Sequence, residues 1–380
     1  MQMSRLKPAT AALRVGIDGR ALYGPAAGVR RYVSQLMEAI VRVSPSTELF
    51  AVGIEGADTV PQGVIASRSR GSLPTNAGWM LTGLPLAVHG LGLHVFHAPA
   101  YTAPLVGTPP VVLTVHDVSY ARRPEDYPYH LDPARRWFYR ASARSASAII
   151  TDSAFSAAEI EAAYSIPGDR ITVVPLAADA RFSPSADAAL LPELAGAPYV
   201  LHVGDLHARR RAGLLLDAVI DVRSRHASLK QLSLVLIGRD HGEGAQVLAR
   251  AADAGAPDAA RWLGHRSDED LVAALRGASA FVYASRYEGF GLPVLEALAC
   301  GTPVVATYDA SVPEIVGDAG CLVRDATASR FADALSAVLL RPEEAERLRR
   351  AGPRRAAQFS WDRTALDTIA VYDRVARRRS

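Results

Sequence analysis

Only two cysteines, Cys300 and Cys321, occur in 380 residues, too few for a disulfide framework, and that scarcity suits a reducing compartment. Long hydrophobic runs are missing as well: none approaches the ~20 apolar residues of a membrane-spanning helix. Residues 1–12 carry Arg5 and Lys7 but lack the apolar stretch of a secretory signal, so a cytoplasmic location is expected. Fixed-period repeats and low-complexity tracts are also absent, which sets aside solenoid architectures. Nor does one sign of charge prevail. The 42 basic and 39 acidic residues leave a formal charge of +3, too balanced to argue for a nucleic-acid partner. What the chain does have is 49% hydrophobic residues, enough for two cores in domains of about 180 residues each.

Short apolar runs at residues 13–17, 49–54, 95–97, 111–115, 148–151 and 171–174 read as strands of a first α/β domain over residues 1–180. Runs at 199–203, 232–237, 280–284 and 303–306 read as strands of a second domain over 199–360. The stretch 176–198, rich in Ala, Asp and Pro, reads as a linker, and 361–380 as a basic terminal helix. Gly24-Pro-Ala-Ala-Gly28 leads into a helix whose Val29, Val33, Leu36, Ile40 and Val43 share one face. Its glycines lack the GxGxxG spacing of a dinucleotide fingerprint.

The most informative stretch is 280–306, read as strand, loop, helix, turn and strand. Pro293 suits the first helical position, and Gly301 ends the helix. The N–H groups of Phe290, Gly291 and Leu292, together with the positive end of the helix dipole, form an anion site. Glu288 and Glu296 bracket that site. Carboxylates so close would repel a phosphate directly, so each is expected to accept hydrogen bonds from hydroxyls flanking it, as on sugars and ribose. Three successive arginines, Arg209 to Arg211, follow Gly204 in another strand-to-helix loop and call for an anion. His116 and Asp117 emerge at a strand's C-terminal end, where ligands bind in open α/β sheets; His97 is a weaker candidate. Asp268 and Asp270 follow Ser267, a helix-capping residue, and no carboxylate cluster has a chelating spacing, so no metal is expected. Residues 133–146 form a helix with Arg135, Arg136, Arg140 and Arg144 on one arc and Trp137, Phe138 and Ala141 on the other. The basic arc is either solvated or attracted to an anionic membrane face.

The run Glu288-Gly-Phe-Gly-Leu-Pro-Val-Leu-Glu296, followed by Ala-Leu-Ala-Cys-Gly-Thr-Pro-Val-Val-Ala, resembles the donor-site signature of retaining nucleotide-sugar glycosyltransferases of family 4. That resemblance implies the GT-B fold: two Rossmann-like, doubly wound α/β domains facing across a cleft, with the last helix crossing back onto the first. It implies that Glu288 meets the transferred sugar, that the backbone of Phe290, Gly291 and Leu292 holds the diphosphate, and that Glu296 binds ribose. His116 would face the sugar, and the Gly28 loop would lie where donor phosphate and acceptor meet, with Arg30 where the family often has glycine. In the Gly204 loop the family's Arg-Lys pair corresponds to Arg209 and Arg210, and the backbone near Gly264 and His265 would border the nucleobase. The implied reaction is same-face transfer in which the departing phosphate takes the acceptor's proton, with a nucleotide-sugar co-substrate and neither cofactor nor metal. The Gly-Pro-Ala-Ala-Gly-Val-Arg-Arg-Tyr start is similar to mannosyl- and rhamnosyltransferases of polysaccharide assembly, which points to GDP-mannose as donor and to a glycan, lipid-linked or small-molecule acceptor. A nucleotide-sugar epimerase and a catalytically idle binding protein of the same fold are the rival readings.

Overall fold

The computed structural model describes residues 12–24, 26–55, 60–68, 75–126, 132–185 and 191–378. Two wholly parallel sheets organise them. The first contains β1 (Arg14–Asp18), β2 (Glu48–Ile54), β3 (Ile65–Arg68), β4 (Val95–Ala98), β5 (Val111–Thr114), β6 (Ala148–Thr151) and β7 (Ile171–Val173), in the order β3-β2-β1-β4-β5-β6-β7. The second contains β8 (Tyr199–Val203), β9 (Ser233–Ile237), β10 (Ala260–Trp262), β11 (Ala280–Tyr283), β12 (Val304–Thr307) and β13 (Cys321–Val323), in the order β10-β9-β8-β11-β12-β13. The central strands β4, β5, β6, β8, β9, β11 and β12 are buried throughout. That is why they read as short unbroken apolar runs rather than alternating ones. The outer strands β3 and β10 are short and partly exposed, and their weak apolar signal escaped the sequence reading.

In each sheet the order of strands reverses once, between β1 and β4 and between β8 and β11. Loops leaving the C-terminal ends of such a pair diverge to opposite faces and open a crevice. Four of the segments singled out in the sequence leave these strands: the Gly24–Gly28 loop after β1, His97 on β4, the Gly204–Arg211 loop after β8 and the Ser285–Gly291 loop after β11.

The helix Ala27–Val43 buries Tyr32, Val33, Leu36, Met37 and Ile40 against the first sheet. Across it lies the terminal helix Trp361–Arg377, whose Trp361, Ala365, Val371 and Tyr372 are buried in the same core. The Thr364 hydroxyl donates to the Pro175 carbonyl at 2.7 Å, so the chain's end is tied to the first sheet's last crossing. The stretch after residue 175 joins the two domains, and its Leu176, Ala177 and Phe182 are buried in the shared core. One expectation needs correction. Trp137 is not part of the inner stripe of its helix (Pro133–Ser145) but 63% exposed. Phe138 and Ser142, four residues apart, set the buried line, and Trp137 lies a 100° step away from it.

Candidate active site

His116 leaves β5 beside the end of β6, since the parallel register pairs Thr114 with Ile150. Two residues further along each strand stand His116 and Asp152, and His116 Nδ1 meets Asp152 Oδ2 at 2.8 Å. Burial pulls the imidazole's pKa down, but the charge and hydrogen bond of Asp152 outweigh it and raise the imidazole above its ordinary value. The Pro99 carbonyl beside the ring raises it further, and His116 lines the cleft, where Nε2 makes no hydrogen bond of ordinary geometry. His97 is held on both sides: Nδ1 meets the Tyr372 hydroxyl at 2.6 Å and Nε2 meets Thr114 Oγ1 at 2.7 Å. Burial, then the neighbouring His116, hold His97 down to about 3 and therefore neutral. It is a core residue.

Across the cleft, two of the three arginines share Glu288 and the third turns elsewhere. Arg210 is buried, bonds the Tyr283 hydroxyl, and lies 3.5 Å from Glu288 Oε1. Its guanidinium rests against Gly204, where a Cβ would come within 2.5 Å of Nη1. Glycine at 204 is thus needed both for that approach and for φ +137°. Arg209 donates to the Tyr287 carbonyl at 3.2 Å and to Glu288 Oε1 at 3.3 Å. Arg211 faces away, paired with Asp309 at 3.0 Å. Burial pushes the Glu288 carboxyl up, but Arg210 and Arg209 outweigh it and hold it below the usual glutamate range. Beyond Glu288 the helix Leu292–Ala299 starts at Gly291, φ +108°, with no side-chain cap. Pro293 has no N–H and Val294 N–H donates to the Gly291 carbonyl at 2.9 Å, so the capacity for an anion at this end rests with the N–H groups of Phe290, Gly291 and Leu292.

These groups surround one cavity of about 290 Å³, lined by Gly28, Tyr32, His116, Asp152, Arg210, Glu288 and residues 289–293. Gly28 is exposed there, and a Cβ on it would meet no protein atom within 4 Å. The second sheet's loop reaches the first at Gly289, whose hypothetical Cβ would lie 2.3 Å from the His116 carbonyl oxygen. Ser153 Oγ donates to the Gly289 carbonyl at 2.6 Å. Glu314 accepts from the backbone N–H groups of Ala154 and Phe155 at 2.8 and 2.7 Å, capping a first-domain helix (Ala154–Tyr164) from the second domain.

Glu296 lies one helical turn further in, 97% buried, and burial pushes its carboxyl up to about 7 against the pull of Arg31. Arg31, on the helix Ala27–Val43, bonds Glu296 Oε1 at 2.6 Å and also pairs with Asp268. Arg31 and Asp268 line a second cavity of about 620 Å³ together with His265, Arg181 and Ser34. Gly264 precedes this lining with φ +72°, and its carbonyl accepts from Gly238 N–H at 2.9 Å. Ser267 caps its helix by accepting from Asp270 N–H at 3.1 Å. Asp268 is taken up by Arg31 and Arg181. The structure thus brings His116, Glu288, Arg210, Gly28, Phe290, Gly291 and Leu292 around one cavity, with Arg209 behind it on Glu288, and sets His265, directly after Gly264, at the other. Asp152, Arg31, Ser153 and Glu314 were missed, because each acts through a partner far along the chain. Only Asp152, directly after a buried strand as His116 is, carried a local signal.

Two doubly wound domains whose switch points face each other across one cleft define the GT-B architecture. The solved sucrose-phosphate synthase of Thermosynechococcus elongatus superposes with a TM-score of 0.74 over 96% of this chain and 99% of that one, at 22% identity. Residues 26–182 match the family described as Glycosyltransferase Family 4, and residues 191–355 match Glycosyl transferases group 1. A protein of Escherichia coli named O-antigen chain mannosyltransferase B is 33% identical over 92% of this chain and 96% of its own length. The MMP alpha-(1->4)-mannosyltransferase of Mycolicibacterium hassiacum is 33% identical over 64% of this chain and 59% of its own length. The chain belongs to the family 4 glycosyltransferases.

Proposed function

We propose that the protein is a retaining hexosyltransferase that moves mannose from GDP-mannose to a glycan, lipid-linked or small-molecule acceptor. The observation that carries this reading is the convergence of Arg210, Glu288, His116 and an uncapped helix start on one cavity. The names of the relatives support mannose. Donor diphosphate sits at the helix start and Arg210, the sugar between His116 Nε2 and Glu288, the ribose at Glu296, and the base in the larger cavity near Gly264 and His265. An adjoining cavity of about 350 Å³, lined by Asp18, Arg20, Asn76, Tyr101 and Tyr139, takes the acceptor; Tyr101 and Tyr139 stack at 5.8 Å and offer apolar ring surface.

In the reaction the bond from the sugar's anomeric carbon to phosphate oxygen breaks, and the acceptor oxygen bonds to that carbon from the same face. The acceptor's proton passes to the departing phosphate. Arginine and helix N–H groups aimed at the developing diphosphate charge lower the barrier without a metal. Glu288, held ionised by two arginines, acts on sugar hydroxyls. Donor turnover with and without a mannose-terminated acceptor tests the proposal: product should form only with acceptor. EDTA should leave the rate within about twofold, while Arg210→Ala should lower it by about 10²–10³. Hydrolysis or epimerisation independent of acceptor, or a rate abolished by EDTA and restored by magnesium, refutes it.

A further inference from the structure

Outside the sugar cavity, two loops bring chemistry together that the reaction does not use. The loops after β8 and β9 emerge side by side because those strands are parallel neighbours. They are locked together by hydrogen bonds from Leu206 N–H to the Arg239 carbonyl at 2.8 Å and from His241 N–H to the Leu206 carbonyl at 3.2 Å. Asp205 Oδ1 accepts from Arg239 N–H at 3.1 Å. Only glycine fits at 238, where a Cβ would lie 2.2 Å from the Gly204 carbonyl oxygen. On this rigid base the His207 and His241 rings stack with centroids 4.0 Å apart and planes 18° from parallel. Asp205 Oδ2 is 3.6 Å from His241 Nε2, and one ligand atom from each of the three residues lies within 4.8 Å of the others.

We propose that Asp205, His207 and His241 bind one divalent transition-metal ion of the zinc, cobalt and nickel class. Bonds of about 2.0–2.2 Å to such an ion set its ligands ~3.3 Å apart, so the three atoms draw together from within 4.8 Å and the stacked rings tilt until both lone pairs converge on the ion. Two imidazoles and one carboxylate favour these ions over magnesium or calcium, which prefer oxygen ligands. The positive charges of Arg209 and Arg210 beside His207 oppose any cation, so binding must rest on coordinate bonds to the imidazoles rather than on charge. Asp240 is not a ligand, because it accepts from Gly242 and Gly244 N–H groups at 2.9 and 2.7 Å. Three protein ligands leave a position for water or a substrate oxygen. The site is independent of the donor assignment and of the metal-free transfer step.

The test is titration of the tag-free full-length protein with cobalt, read by its visible absorbance, and with zinc by calorimetry. One ion should bind per chain. Losing a ligand costs at least as much as losing a residue that orients one, about 10–100-fold in affinity. His241→Ala, at an exposed position, should show this loss with an unchanged melting temperature; His207→Ala should match it, and His226→Gln should bind as the parent does. Absence of saturable binding, or binding that survives His241→Ala, overturns the proposal.

Discussion

At neutral pH the buried Glu296 carboxyl sits near its midpoint, about 7 in the empty protein. Below that pH it carries a proton, and above it both oxygens accept, Oε1 already from Arg31 at 2.6 Å. An ionised carboxylate can accept from both ribose hydroxyls, whereas the protonated acid turns one oxygen into a donor. Nucleoside diphosphate affinity should therefore strengthen as pH rises through about 7, and in Glu296→Gln this rise should vanish. Calorimetry on parent and variant with the same nucleotide separates the protein's titration from the ligand's. Glu288→Ala should behave differently: transfer falls, but binding of the bare nucleoside diphosphate stays nearly intact, because only the sugar loses its partner. Glu296→Ala should weaken both nucleotide and nucleotide sugar by about 1–3 kcal/mol. Equal losses from the two variants in nucleotide binding would end that division of labour.

The decisive element is the loop from Ser285 to Gly291, which carries a carboxylate on one domain and touches backbone on the other. Gly289 lies so near the His116 carbonyl that a methyl group would force two main chains apart, and neither is a flexible side-chain end. Overpacking of this kind costs about 1–3 kcal/mol, equivalent to about 5- to 150-fold in the closed population. Gly289→Ala should lower kcat/KM within that range while each domain stays folded, as checked by steady-state rates beside circular dichroism. Small-angle scattering should show a larger radius of gyration. Activity and compactness equal to the parent's would mean that closure does not depend on this contact. The helix Pro133–Ser145 is a second element with a stake in function. Its Arg135, Arg136 and Arg140 are exposed beside Trp137, while Arg144 donates to the Tyr164 carbonyl at 3.0 Å.

On the scale of the whole molecule, Arg31, Ser153 and Glu314 clasp the two domains across the cleft, and the terminal helix returns to the first. Among the described residues no helix is long and apolar enough to cross a membrane. The exposed Trp137 among arginines is of the kind that suits a membrane interface, which can be tested directly. Vesicles containing anionic lipid should retain the protein at low salt and release it at high salt, since charge is screened within about 8–10 Å near physiological ionic strength. Each arginine near such a surface adds about 1 kcal/mol, so the Arg136→Ser, Arg140→Ser double variant should sediment markedly less. Retention indifferent to salt and to both changes would return the helix to a solvated role.

The chain by itself determined the two parallel-sheet domains and most of the groups that the structure gathers at the cleft. Buried parallel strands leave unbroken apolar runs, and anion-binding turns need glycine at positive φ beside a helix start, so both are written in contiguous residues. Glu288 to Glu296 and Gly204 to Arg210 were legible for that reason. Tertiary structure alone decided which neighbours those groups have. It set Asp152 on His116, through the register of β5 and β6, and Arg31 on Glu296, through helices 265 residues apart in sequence. It separated Arg211 from the other two arginines, turned Trp137 outward, and gave His97 two internal partners. None of these follows from local pattern, because each depends on where a distant strand or helix packs, and sequence spacing carries no record of that.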